Sequence, residues 1–381
     1  MPNPATWRSQ MSNDSSTAHS LYPMLCAVRH ALHPALVSSC AFARVGSAMA
    51  NLPDALTSLF YLETRLHDAD AVDLVLRVGP ESRETLWRCG TRDAAWDRVR
   101  ALTHAWNDEH GELASALHHL WLEFDIDDAS SAPRLVPGVF ACFGELRDHS
   151  YTSQRWLARS RLALDTLLGD ALPAAVSRAV DACFAALPDD AYAPYVGVML
   201  GRPAESVRIC LTQLGPLALS AYLERIGWPS PIGEVDALIA ELASTQPDGP
   251  LRGAGMVHLD VSSDGIWRLG LEFACQRGPQ LRGELRERAL LERLVALGLA
   301  QPAKAEALTV WPGARAVRVP AASGDRVVMR RVNHVKVVLR PDGAPEAKAY
   351  LAARHVPRAQ FSAVARAGSI TNPTSERRIC S

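Results

Sequence analysis

The sequence predicts an α+β fold, an antiparallel barrel of about ten strands built from five α-β-β-α units with the helices outside. Three observations lead to it. Five places along the chain show two short runs of alternating apolar and polar residues around a turn signal, the pattern of a β-hairpin. Between them the apolar residues recur at helical spacing, and most gaps hold two helical segments. Ten antiparallel strands flanked by helices must either expose two edges or close, and closure into a barrel removes both edges.

The first hairpin is assigned to 70–89, DAVDLVLRVGPESRETLWRC, where Gly79 and Pro80 separate two extended runs. The second joins 116–127 to 135–144, the third joins 195–201 to 206–214, and the fourth spans 255–276 around a Ser-Asp-Gly turn. The fifth, 332–355, turns at Pro-Asp-Gly-Ala-Pro. Helices are expected over DAAWDRVRALTHAWNDE, RWLARSRLALDTLLGDALPAAVSRAVDACFAAL, LALSAYLERIGW, EVDALIAELAS and ELRERALLERLVALGL. In the last of these, Leu290, Leu291, Leu294, Val295 and Leu297 make one buried face. The stretch IGWPSP reads as a helix end closed by Gly and Pro, with Trp228 a packing anchor.

A chain of 381 residues that is 48% hydrophobic and 21% charged can bury a large core. Residues 1–20 are expected to form a loose arm, 21–356 a single barrel domain and 357–381 a frayed tail. A formal net charge of -1 gives no global field that would favour nucleic acid or an anionic membrane, so any anion site has to be local. No run approaches about 18 consecutive apolar residues, so no membrane span is expected. The amino end lacks the basic region and apolar core of a signal peptide. Eight cysteines lie scattered without C-x-x-C or zinc spacing, which fits free thiols in a reducing cytoplasm. His30 and His33 have no carboxylate near them and are not read as a metal pair. The P-loop, G-x-G-x-x-G after a strand, G-x-S-x-G and H-E-x-x-H motifs are absent, which removes most nucleotide, hydrolase and zincin chemistry.

If helices cover the barrel, each strand turns its apolar set outward and its alternate set into the lumen. The inward set then includes Asp73 and Arg77; His119, Trp121, Glu123 and Asp125; Arg208, Cys210 and Thr212; His258 and Asp260; and Arg268 and Glu272, the last two alternating with Trp267, Leu269, Leu271 and Phe273. The fifth hairpin adds His334, Lys336, Lys348 and Tyr350. Lysine occurs only at 304, 336 and 348, so two of the three share this hairpin. A turn centred on Asp342 sets Lys336 beside Lys348 and His334 beside Tyr350. Like charges directly opposite repel, so a negative partner is required: an anionic ligand, or carboxylates such as Glu123, Asp125, Asp260 and Glu272.

This arrangement resembles the ABBA-type aromatic prenyltransferases over about residues 50–356, in topology and lumen chemistry, with K-x-Y in AKAYL as a weak local match. The resemblance implies transfer of an allylic prenyl group from a prenyl diphosphate to an aromatic small molecule or peptide side chain. It implies Arg77, Arg208, Arg268, Lys336, Lys348 and Tyr350 on the diphosphate, and Glu123 orienting or deprotonating the acceptor. His119, Trp121, His258, Asp260, Glu272 and His334 would line the acceptor space. No cofactor is required, with Mg2+ left open. Fixed cations would stabilise the departing diphosphate, while aromatic faces and excluded water protect the allylic cation. The chain departs from the family in its few inward tyrosines, Tyr350 and Tyr195, for which Trp121 and Trp87 are substitutes. Its His, Asp and Glu content suits two alternatives. One is acid-base or metal chemistry on another substrate, a peptide for example, with a metal held by His119, Glu123, His258 and Asp260. The other is a carrier that binds a small molecule or peptide without turnover.

Overall fold

A computed structural model describes residues 19–67, 70–126, 135–143, 153–169, 172–202, 206–245, 255–275, 288–317 and 325–361. The expected loose arm before His19 and the tail after Phe361 lie outside these residues. Helices α1 (Tyr22–Val28) and α2 (Ser39–Ala50) lead into strands β1 (Leu59–Arg65) and β2 (Val72–Val78). Helices α3 (Arg83–Arg88), α4 (Ala94–Asn107) and α5 (Glu112–Ala116) precede β3 (His119–Phe124) and β4 (Gly138–Cys142). Then α6 (Ser153–Leu168) and α7 (Ala174–Ala185) precede β5 (Tyr192–Met199) and β6 (Val207–Thr212). The fourth unit is α8 (Pro216–Arg225), α9 (Ile232–Ala243), β7 (Met256–Ser262) and β8 (Gly265–Ala274). The fifth is α10 (Arg288–Ala296), α11 (Pro302–Val310), a short β9 (Gly313–Val317), β10 (Arg326–Arg340) and β11 (Gly343–Pro357).

Neighbours from β1 to β8 pair antiparallel in sequence order, β8 pairs with β10, β10 with β11, and β11 returns to β1. The ring therefore closes with ten strands. Strand β9 stays outside it, paired with Arg326–Arg330 of β10, while His334–Leu339 of the same strand meet β8.

Local chemistry sets the helix ends. Asp93 accepts the Trp96 N–H at 3.0 Å at the start of α4, and Ser38 accepts the Ala41 N–H at 3.0 Å before α2. Gly227, at φ 71°, ends α8, letting the N–H of Trp228 donate to the Leu223 carbonyl at 2.9 Å. Trp228 is buried against the helix end as expected. On α4, Trp96, Val99, Leu102 and Trp106 form one buried face, which meets the outward Leu120, Leu122 and Phe124 in a single continuous core. Each fully buried aliphatic side chain contributes about 1.5–3 kcal/mol. Most apolar burial lies in the annulus between sheet and helices, so the inner face is free to be polar.

Three expectations change. The partner of β2 is β1, LFYLETR, and RETLWR folds as α3, so the first hairpin lies at 59–78 and not at 70–89. In LFYLETR the apolar run Leu59, Phe60, Tyr61, Leu62 hides the period of two, because Tyr61 faces inward although it is apolar. Trp87, 48% exposed, therefore sits on a helix and cannot shield the lumen. In β8 a bulge lets Asp260 pair with Arg268 and Val261 with Ile266, so Trp267 is the extra residue and Ile266 takes its core place. On α10, Leu297 lies past the helix end and is 37% exposed, while Leu299 turns inward. No helix among the described residues is long and apolar enough to cross a membrane. None of the seven described cysteines is in a disulfide.

Candidate functional site

The register of the last hairpin places Lys336 directly opposite Lys348. A shift between Val332 and Val335 takes His334 and Tyr350 out of simple register, yet their rings still stack with centroids 3.9 Å apart. Around them the inner faces of β1, β2, β3, β6, β7, β8, β10 and β11 converge. Glu63, Asp73, His119, Glu123, Arg208, Asp260, Arg268, Lys336, Lys348 and Tyr350 are all at 8% exposure or less.

Two ion-pair groups span the lumen. In one, Arg208 grips Asp260 with two bonds, Nε to Oδ1 at 2.6 Å and Nη2 to Oδ2 at 3.1 Å, and reaches Glu123 at 3.3 Å. Arg268 meets the same Asp260 at 3.5 Å, and Arg202 holds Asp125 at 2.8 Å. Burial would raise the Asp260 carboxyl, but Arg208 and Arg268 outweigh it and hold it at about 2. In the other group, Lys348 donates to Glu63 at 2.7 Å, and Arg65 bridges Glu63 at 3.3 Å and Asp73 at 2.6 Å. Burial would raise Glu63 too, yet Lys348, Lys336 and Arg65 hold it well below the carboxylate range. Asp73 goes up to about 6, through burial and then the Glu63 charge.

Lys336 is different. Among the described residues no carboxylate lies within ion-pair distance of it, and its ammonium rests 4.9 Å above the Tyr350 ring. Burial pushes it down to about 8. A chain of weaker bases lies beside it: Cys210 Sγ is 3.3 Å from His258 Nδ1, His258 Nε2 is 3.1 Å from Glu272, and Glu272 is 3.3 Å from His334. The remaining wall is aromatic. Tyr61 and Trp121 lie 5.1 Å apart, His119 meets Trp121 edge-on at 5.4 Å, and Tyr195 lies 6.0 Å from His119. Burial, then Arg77 and His118, lowers His119 to about 3, so it is a neutral ring.

The gap between these groups is lined by Arg208, His258, Asp260, Arg268, Gly270, Lys336 and Val338, and its free volume, about 10 Å³, is on the order of what one water molecule needs.

Of the residues expected in the lumen, Arg208, Arg268, His258, Asp260 and Lys336 share this gap. Arg77 stands apart from them, opposite Trp121 in register and close enough to His119 to act on its charge. The metal set His119, Glu123, His258 and Asp260 does not assemble: Glu123 and Asp260 are tied to Arg208, His258 to Glu272, and His119 belongs to the aromatic wall. No group of three His, Cys, Asp or Glu side chains among the described residues could hold a metal ion. Glu63 and Arg65 were missed with β1. Their signal was the alternation Tyr61, Glu63, Arg65 within LFYLETR, masked by the apolar Tyr61. Glu63 and Tyr350 face each other across β1 and β11, close enough for the carboxylate to raise the phenol, yet Glu63 Oε2 and the Tyr350 hydroxyl, both buried, make no hydrogen bond of standard geometry.

No family model and no curated protein matches the sequence. Among solved structures, the chain is similar to the prenyltransferase PriB in its binary complex with product diphosphate, with 17% identity, 88% of this chain and 94% of that chain covered, and a TM-score of 0.51. It also aligns with 5-dimethylallyltryptophan synthase from Streptomyces coelicolor, at 18% identity, 89% and 98% coverage and a TM-score of 0.49. A third is 6-dimethylallyltryptophan synthase from Micromonospora olivasterospora in complex with DMASPP and Trp, at 13% identity, 90% and 98% coverage and a TM-score of 0.48. At these identities the likeness is one of fold, and the closed ten-stranded barrel ringed by helices is the fold this chain shares with the prenyltransferase PriB.

Proposed function

We propose that the protein moves an allylic prenyl group from a prenyl diphosphate to an aromatic acceptor inside the barrel. The observation that carries this reading is Lys336, a buried cation with no ion pair among the described residues, beside Arg208 and Arg268 on a gap lined by several strands. Diphosphate is the kind of anion that answers such a set: Lys336 would meet it first, and Arg208 and Arg268 would turn to it from Asp260. Lys348 and Arg77 would extend the positive field, and Tyr350 would donate its unused hydroxyl. As the C1–O bond breaks, the electron pair stays on the diphosphate and the allylic cation is left against Tyr350, Trp121 and Tyr61, whose ring faces attract it. The aromatic acceptor attacks, and its displaced proton leaves to a base.

The carboxylate that orients the acceptor is better assigned to Glu63 than to Glu123. Glu63 is ionised, buried and has one oxygen without a bond, whereas Glu123 is engaged by Arg208 at 3.3 Å and by Arg202 at 3.8 Å. An acceptor N–H or O–H would satisfy the unused Oε2.

The narrow gap favours one second reading, a barrel whose charges neutralise one another and which binds a ligand without turnover. Incubating the protein with allylic diphosphates and a pool of aromatic compounds and peptides separates the two. Products heavier by one prenyl unit are expected. If neither a diphosphate nor an allylic thiolodiphosphate binds by calorimetry, the transferase reading fails.

A further inference from the structure

Four side chains that the reaction outlined above does not use form one continuous line across the lumen wall. Cys210 on β6, His258 on β7, Glu272 on β8 and His334 on β10 are joined by contacts of 3.3, 3.1 and 3.3 Å. Gly270 makes the line possible, since a Cβ there would come within 3.1 Å of the His258 Cβ and 3.3 Å of the Lys336 Cδ. His258 also borders the gap that Arg208, Arg268 and Lys336 line. We infer that this line is the reaction's proton store: entry of the diphosphate draws a proton onto it, and His258 returns that proton to the departing diphosphate. The inference rests on the prenyl-transfer reading and goes beyond it in assigning a general acid.

The argument is electrostatic. Facing the line are Tyr195 on β5, Arg208 and Asp260 on β6 and β7, Arg268 on β8, Arg331 and Lys336 on β10, Tyr350 on β11 and Glu63 on β1. Asp260 and Glu123 pair with Arg208, and Glu63 pairs with Lys348; Lys336, opposite Glu272 in register and balanced only at longer range by Glu63 and Glu123, is the cation without an ion pair next to the imidazoles. Burial, and after it Lys336, holds His258 and His334 well below the usual histidine range. Burial pushes Glu272 up to about 7 and the Cys210 thiol up to about 12. The line is thus made of groups that are neutral or easily neutralised. It holds fewer protons than its histidines would if an anion balanced Lys336.

A bound diphosphate reverses the sign of that field. An opposite charge within about 4–6 Å raises proton affinity roughly 10- to 1,000-fold, and the imidazole at the edge of the gap receives the effect most directly. The atom that takes the proton is His258 Nδ1, covered only by a thiol, which is a weak donor. Glu272 at Nε2 then stabilises the imidazolium, as the third member of an acid-base triad does. When the C1–O bond breaks, its electron pair stays on the diphosphate oxygen. That oxygen accepts the His258 proton, and the imidazole returns to its neutral form.

The test is calorimetric titration of the full chain with dimethylallyl thiolodiphosphate at pH 8, where the terminal phosphate is ionised, in buffers of differing ionisation enthalpy. The slope of apparent enthalpy against buffer enthalpy counts protons. An uptake of about one proton per ligand is expected. In His258→Gln and in Glu272→Gln the ligand is expected to bind while the uptake falls by at least half. Binding with no uptake in the wild type, or with equal uptake in a folded His258→Gln or Glu272→Gln protein, overturns the proton store and leaves diphosphate binding standing. Absence of binding overturns both.

Discussion

Lys336 and Lys348 are neighbours of the same chemical type, yet replacing each with methionine should change stability in opposite directions. Lys336 has burial without an ion-pair partner, and its ammonium is held at about 8 against a reference of 10.5. Because the folded value is lower, the folded protein binds this proton less tightly than the unfolded chain does. Below pH 8 the charged lysine costs the fold the full difference, about 3 kcal/mol from 1.36 kcal/mol per tenfold change in proton affinity. Between pH 8 and 10.5 the cost fades, and above that range it is gone. Lys336→Met should therefore stabilise the empty protein at pH 7 by up to about 3 kcal/mol, with the gain vanishing above about pH 10.5. The same substitution should weaken diphosphate binding by roughly 30- to 150-fold, the loss of about 2–3 kcal/mol of charge-assisted contact. Urea unfolding of wild type and variant across pH 6 to 11, together with diphosphate titration at pH 7.5, measures both. A Lys336→Met protein that is less stable at pH 7 than at pH 10 relative to wild type, or that binds diphosphate as tightly, refutes the reasoning that this lysine waits for an anion.

Lys348→Met leaves buried Glu63 with Arg65 as its remaining ion-pair partner and should cost about 3–5 kcal/mol in urea unfolding at pH 7. Glu63→Gln should keep binding of an allylic thiolodiphosphate within about threefold and lower kcat by roughly 100-fold, the range of a lost acid-base group; an unchanged kcat would return the acceptor role to Glu123. Gly270→Ala puts a methyl against His258 and Lys336 and should cost about 1–3 kcal/mol of stability, with weaker diphosphate binding seen in the same titration.

Four of the five hairpins were legible because helices cover their outward residues and at least one strand of each turns a charged residue inward, as Glu123, Arg208, Asp260 and Lys336 do. In β10 and β11 even the register could be read, since a short turn fixes which residues face each other and Lys336 does face Lys348. The first hairpin failed for a physical reason. Tyr61 lies in an apolar cluster with Val75 and Tyr350 on the lumen side, so the first half of β1 is apolar on both faces and hides the period of two that Glu63 and Arg65 carry. With β1 went Glu63, the residue on which the acceptor assignment now rests. The bulge at Trp267 was invisible as well, because one extra residue exchanges the faces of its neighbours without changing composition.

Local pattern by itself determined that the chain alternates helices with hairpins, that about ten strands must either expose two edges or close, and that closure would turn arginine, lysine, histidine and acid side chains into a common interior. These follow from periodicity, which is a property of neighbours in sequence. Which charges answer one another was decided only by the tertiary structure. Arg208 and Asp260 lie 52 residues apart, and Lys348 and Glu63 are 285 apart. Ring closure brings such groups within bonding distance, and the stagger of the strands chooses their partners. That choice leaves Lys336 without a carboxylate beside a line of titratable groups.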